Sequence, residues 1–148
     1  MIDQLLRVTK EFTFEAAHAL DGYDGKCKDI HGHSYKLSVT VLGKVNLNKE
    51  DPKCGMVIDF GEIKKIVKGS VLDQFDHYLL LRSDSRFKGI ESHGERIRYV
   101  NYQPTCENML LEIVSDIQHD FPDGVTLIEA TLRETATGYA QWKLSDNA

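Results

Sequence analysis

The sequence predicts an α+β domain whose elements run β-β-α-α-β-β. Three observations carry this. Residues 7–18 and 31–42 alternate apolar and polar side chains, as half-buried strands do. Residues 59–76 and 105–121 instead repeat apolar side chains at helical spacing behind a capping residue. Two further alternating stretches, 125–134 and 139–144, complete the order. Strands adjacent in sequence favour antiparallel hairpins, with the helices packed on one face of the sheet.

The chain has 148 residues, 41% hydrophobic and 28% charged, which is the size and composition of a single soluble domain spanning 1–148. No apolar run approaches a membrane span, and the N-terminal stretch lacks the pattern of a signal peptide, so a cytosolic, cytoplasmic protein is expected. Three cysteines, Cys27, Cys54 and Cys106, are expected as free thiols. A net charge of −5 argues against a nucleic-acid binder. A local patch of Lys and Arg can still hold a small anion.

In the first strand Phe12, Phe14 and Ala16 share a side, and His18 continues it. Residues 19–30, rich in Gly, Asp and Lys, form a loop. In the second strand Tyr35, Leu37, Val39 and Val41 share a face, and by parity His31 and His33 lie on it too. Residues 43–56 form a polar turn. Asp59 caps the first helix, with Glu62 reaching back, and Ile63, Ile66, Val67, Val71 and Phe75 make its stripe. Gly69 weakens this helix, which stops near Asp76-His77.

Residues 82–103 have no clean period and carry Arg82, Arg86, Lys88, Arg96 and Arg98, so they read as a solvated excursion or an anion site. Thr105 caps the second helix, with Glu107 in its first turn and Met109, Leu110, Ile113, Val114 and Ile117 on its stripe. Ile128, Ala130 and Leu132 then share a strand face that Glu134 continues. Ala140, Trp142 and Leu144 share the last. Four strands leave two open edges, which subunits could join into a larger barrel.

The chemistry concentrates at His18, His31 and His33. Three imidazoles with a fourth, open position is the catalytic arrangement of zinc, and a spacing of two on a strand aims His31 and His33 the same way. Cys27 is open on these grounds as a fourth ligand or as a base, since a nearby cation favours the thiolate. No second cysteine lies close to it, whereas closed structural sites usually hold two. His77 follows Asp76 at a helix end, and a direct contact between them requires the helix to break. Glu134 is a carboxylate on an apolar-patterned face and needs a bidentate partner, either an arginine or the amino-pyrimidinone edge of a pterin or guanine.

Phe12-Thr-Phe-Glu-Ala-Ala-His18, Cys27-x-x-x-His31-Gly-His33, Met56-Val-Ile-Asp-Phe60, Phe75-Asp-His-Tyr78, Pro104-Thr-Cys-Glu-Asn108 and Glu134-Thr-Ala-Thr137 together resemble the 6-pyruvoyl-tetrahydropterin synthase family. Three residues between Cys27 and His31 resemble its 6-carboxy-tetrahydropterin branch, where the pyruvoyl branch has five. The resemblance implies the tunnelling fold, a four-stranded antiparallel sheet with two helices on one side. It implies trimers closing a barrel, homohexamers, and active sites between subunits. It also implies Zn2+ on His18, His31 and His33, with Cys27 as proton acceptor and Asp76 and His77 as its relay. Glu134 would be the pterin anchor, and Thr105 and Glu107 would help to hold the ring.

The implied reaction is a lyase step on 7,8-dihydroneopterin triphosphate, giving 6-carboxy-5,6,7,8-tetrahydropterin, acetaldehyde and triphosphate on the way to queuosine. The alternatives are pyruvoyl-type elimination from the same substrate, or a zinc-stabilised pterin-binding protein without turnover. Cys106 stands where the family usually has a small hydroxyl residue, and residues 82–103 are longer than in its compact members.

Overall fold

The computed structural model describes residues 3–90 and 96–148. Six strands form one mixed sheet: β1 (Leu5–His18), β2 (His31–Lys44), β3 (Tyr78–Arg82), β4 (Ile97–Val100), β5 (Thr126–Arg133) and β6 (Tyr139–Lys143), in the order β4-β3-β1-β2-β5-β6. The four expected strands are present and pair antiparallel as β1-β2-β5-β6. The sheet is nevertheless neither four-stranded nor purely antiparallel. β3 adds in parallel beside the end of β1, and β4 adds in parallel beside β3.

The correction falls on residues 82–103, expected to lack regular structure, and on the stretch just before them. Tyr78-Leu79-Leu80-Leu81 shows no alternation because β3 is buried on both faces, as parallel strands usually are. Leu80 joins the main core, while Leu79 and Leu81 pack with Ala19 in a second cluster. Phe87 and Ile90 lie against that second cluster, so the segment after β3 covers the sheet there instead of looping through solvent. Residues 91–95 of the same stretch lie outside the described residues.

The main core lies between the sheet and two helices. α1 (Phe60–Val67) runs on through a π-helical turn, Lys68–Leu72, into a last turn, Asp73–Phe75. Asp59 caps it, its Oδ1 accepting the Gly61 N–H at 2.8 Å. Gly69 falls inside the π-helical turn, where the regular ladder is already broken. α2 (Cys106–Ile117) is capped by Thr105, whose hydroxyl accepts the Asn108 N–H at 3.2 Å. Phe12, Phe14, Tyr35, Leu37, Val39 and Val41 meet the predicted helix stripes in one buried cluster. Leu144 begins a short C-terminal helix, α3 (Leu144–Asn147), so the last strand ends one residue earlier than its pattern implied.

One face assignment shifts. Thr40 pairs with Glu129 but Val41 pairs with Leu127, so Ile128 is an extra residue in β5. This bulge puts Leu127, in place of Ile128, inside with Ala130 and Leu132. It lies before Ala130, so Glu134 keeps the inward parity.

β4 is fixed to α2 by a half-buried ion pair. Arg98 Nη2 donates to Glu112 Oε1 at 2.7 Å, and the Tyr102 hydroxyl donates to the same oxygen at 3.1 Å. Arg98→Met should therefore strand the Glu112 carboxylate and cost about 3 kcal/mol in urea denaturation. Adding Glu112→Leu should recover most of that loss.

Candidate metal centre

The β1–β2 register places His18 directly opposite His31 and Ala16 opposite His33. The three imidazoles thus converge where the hairpin opens, and their donor atoms lie within 4.8 Å of one another. His18 is 1% exposed, and burial holds its pKa down at about 4, so the ring is neutral near pH 7. Burial also lowers the pKa of His33, against the opposing pull of Glu134.

Two carbonyls set the tautomers. His18 Nδ1 lies 2.6 Å from Pro104 O, and His31 Nδ1 lies 2.7 Å from Asp29 O. A carbonyl only accepts, so each Nδ1 carries the proton and each Nε2 presents a lone pair. These two Nε2 atoms stand 2.9 Å apart. His33 Nε2 is buried without a hydrogen-bond partner among the described residues, although Glu134 Oε1 lies only 3.1 Å away, near but not aligned. The same oxygen is 3.3 Å from His18 Nε2. Converging lone pairs beside a carboxylate repel unless a cation joins them, so the donor set fits a zinc ion on His18, His31 and His33. Zinc bound there would leave a position for an outside oxygen ligand.

Cys27 sits half-buried on a single 3₁₀ turn, Lys26–Lys28, with a free thiol, and is not among the clustered donors. Glu134 faces two ways. It touches the imidazoles, and with Cys106, Glu107, Gly138, Tyr139 and Ala140 it lines a cavity of about 320 Å³. Thr105 is not among the lining residues, and its hydroxyl is engaged as the α2 cap. Burial, and then Glu134, push the Cys106 thiol up to about 11, so it stays protonated.

His77 lines a second cavity, of about 350 Å³, together with His33, Glu15 and Ser34, and Asp76 stands behind it as its partner. The helix does break here, as contact between the two side chains requires. Asp76 is extended, and His77 has a φ of 65°, in the left-handed region uncommon for a non-glycine residue. Glu15 fixes the break from β1. Its carbonyl accepts the His77 N–H at 2.6 Å and its own N–H donates to Asp76 Oδ1 at 2.9 Å. His77 Nδ1 then lies 3.0 Å from that Oδ1. His33 lines this cavity and Glu134 the other, so the imidazole cluster stands between them.

Tyr35 belongs to the site and was legible only as core. It stands two residues beyond His33 on the same face, edge-on to His33 at 5.6 Å and to His18 at 6.4 Å. Its hydroxyl is buried without a partner among the described residues, and burial reinforced by Glu134 raises its pKa, keeping it a proton donor.

Sheet, helices and a three-histidine donor set define an α+β domain with a group that could hold a metal ion. A family model described as 6-pyruvoyl tetrahydropterin synthase matches residues 7–144, and the chain belongs to that family. A protein of Haemophilus influenzae named 6-carboxy-5,6,7,8-tetrahydropterin synthase is 34% identical over 144 residues, which cover 94% of this chain and 99% of that one. Among solved structures, the 6-pyruvoyl tetrahydropterin synthase of Caenorhabditis elegans is 27% identical with a TM-score of 0.64, covering 95% of this chain and 96% of that one. An uncharacterized protein from Wolinella succinogenes, 18% identical, matches the fold with a TM-score of 0.78 over 96% of this chain and 99% of that one. No helix among the described residues is long and apolar enough to cross a membrane.

The His18 environment sets a pH dependence. Stripped of metal, the folded chain withholds a proton from His18 down to about pH 4, whereas the unfolded chain binds it near 6.5. The unfolded state then holds more protons between these limits. Stability of the metal-free protein should fall as pH is lowered from 6.5 to 4, by on the order of 3 kcal/mol. Urea midpoints across that window test this, and His18→Gln should flatten the slope.

Proposed function

We propose that the chain is a zinc-dependent lyase that converts 7,8-dihydroneopterin triphosphate and water to 6-carboxy-5,6,7,8-tetrahydropterin, acetaldehyde and triphosphate, as a step towards queuosine. The single observation behind this reading is Glu134, whose carboxylate borders both the imidazole cluster and an open cavity. A ligand held by that carboxylate would extend its side chain to the metal. The carboxy branch is favoured by the Haemophilus influenzae protein's name and near full-length match, and by the three residues between Cys27 and His31.

Glu134 accepts two parallel N–H groups from the amino-pyrimidinone edge of the ring. Glu107, in the first turn of α2, lines the same cavity and, with the capping residue Thr105, helps to hold the pterin. Zinc on His18, His31 and His33 would supply Lewis acidity to the side-chain hydroxyls. Cys27 takes a carbon-bound proton from the side chain, and His77, oriented by Asp76, moves protons at the other centre. Triphosphate leaves, the side-chain carbon–carbon bond breaks, and water provides the second carboxylate oxygen. Both terminal strands of the sheet, β4 and β6, have one unpaired edge among the described residues. This supports assembly into trimers and a cytoplasmic homohexamer with sites completed between subunits.

Incubating zinc-loaded protein with 7,8-dihydroneopterin triphosphate tests the reading. Acetaldehyde should appear with triphosphate. Triphosphate without acetaldehyde would mean the pyruvoyl-type reaction, and unchanged substrate would mean a binding protein. Cys27→Ala should abolish turnover while one zinc per chain remains by atomic absorption. Lost zinc would instead make the thiol a ligand. Glu134→Gln should raise KM roughly tenfold to a hundredfold.

A further inference from the structure

The residues around Cys27 are held by a closed circuit of contacts, and one link comes from the segment after β3, to which the mechanism gives no role. Starting at the imidazole cluster, His18 is oriented by Pro104 O. The preceding residue, Gln103, donates from Nε2 to Asp21 O at 2.7 Å. Asp21 is 8% exposed, and its Oδ1 accepts the Arg86 N–H at 3.1 Å. The Arg86 side chain returns to the Cys27 turn, where Nη2 donates to Lys28 O at 2.5 Å and to Asp29 Oδ1 at 3.2 Å. Asp29 O then accepts from His31 Nδ1, and His31 Nε2 faces His18 Nε2 across the site. Cys27 sits inside this ring, its carbonyl accepting the Leu20 N–H at 3.0 Å.

Arg86 can transmit position because its own segment is anchored. Phe87 and Ile90 pack on Ala19, Leu79 and Leu81, and Ser85, only 4% exposed, accepts the Phe87 N–H at its hydroxyl. The 3₁₀ turn has no buried residue of its own, so packing alone does not fix it. A guanidinium with two acceptors on adjacent residues supplies the missing restraint. The structure assigns Arg86 as a positioning residue for the Cys27 turn and, through Asp29, for the metal ligand His31.

The test compares wild type with Arg86→Met, which keeps an apolar stem but loses the guanidinium, and with Arg86→Lys, which keeps the charge but not the fork. Zinc-loaded protein is treated with iodoacetamide, and alkylation of Cys27 is followed by peptide mass spectrometry against exposed Cys54 as internal reference. Arg86→Met should speed Cys27 alkylation relative to Cys54 about tenfold. Zinc release to a chromogenic chelator should quicken by a similar factor, with Arg86→Lys between the two. On substrate, kcat should drop roughly tenfold to a hundredfold with KM little changed.

The kinetic arm rests on the proposed lyase reaction. The alkylation and chelator arms do not, so an inactive protein would overturn that reaction and leave the positioning role to be judged by the other two. Should Arg86→Met not fold, Arg86→Lys carries the comparison. Unchanged alkylation and zinc release in a folded variant would overturn the inference.

Discussion

Everything at the site depends on the pairing of β1 with β2. The ladder runs without interruption from Leu5 opposite Lys44 to His18 opposite His31. Because side chains alternate, a slip of one residue would turn every core side chain and every imidazole to the wrong face. The apolar residues that prevent the slip, Phe12, Phe14, Tyr35 and Leu37, occupy the same face as the histidines. Core formation and metal-site formation are therefore one event. The stacked rings of Phe14 and Tyr35, 5.1 Å apart, lie beside the histidine end of that register.

Pairing brings the imidazoles near each other but does not orient them. Orientation comes from carbonyls outside the hairpin, Pro104 O before α2 and Asp29 O in the loop. At the two cavities the strands themselves do the placing. β5 brings Glu134 by parity, and Glu15 in β1 fixes the left-handed backbone of His77. The imidazoles thus hang from regular strands and are aimed by carbonyls of irregular segments, whereas His77 stands at a break that a regular strand fixes.

That division explains what could be read from the sequence. Parity alone collected His18, His31, His33 and Glu134, because a two-residue repeat is visible in one dimension. Helical stripes and caps at Asp59 and Thr105 were equally plain. β3 left a weaker trace, since a strand buried on both faces does not alternate, and Leu79-Leu80-Leu81 carries no period of its own. The extra residue at Ile128 carried no marker. The contacts made by Pro104 O, Asp29 O and the Arg86 guanidinium join segments dozens of residues apart, and no local pattern encodes them. Tyr35 did carry a signal, two residues beyond His33 on one face, but its apolar neighbours made it look like core.

The π-helical turn in α1 has a geometrical consequence. Ile63, Val67, Val71 and Phe75 are all fully buried, yet they are spaced by four. In a regular helix each step of four overshoots a full turn by about 40°, so three steps would carry Phe75 about 120° away from Ile63. The wider turn at Lys68–Leu72 absorbs part of that drift and keeps the four side chains on the core side. The chain leaves the helix immediately after Phe75, so the heading of Asp76 and His77 is set by the phase of the helix that precedes them. Removing one residue between Val67 and Val71 would swing that exit by about 100°, with every core side chain and every site residue still present.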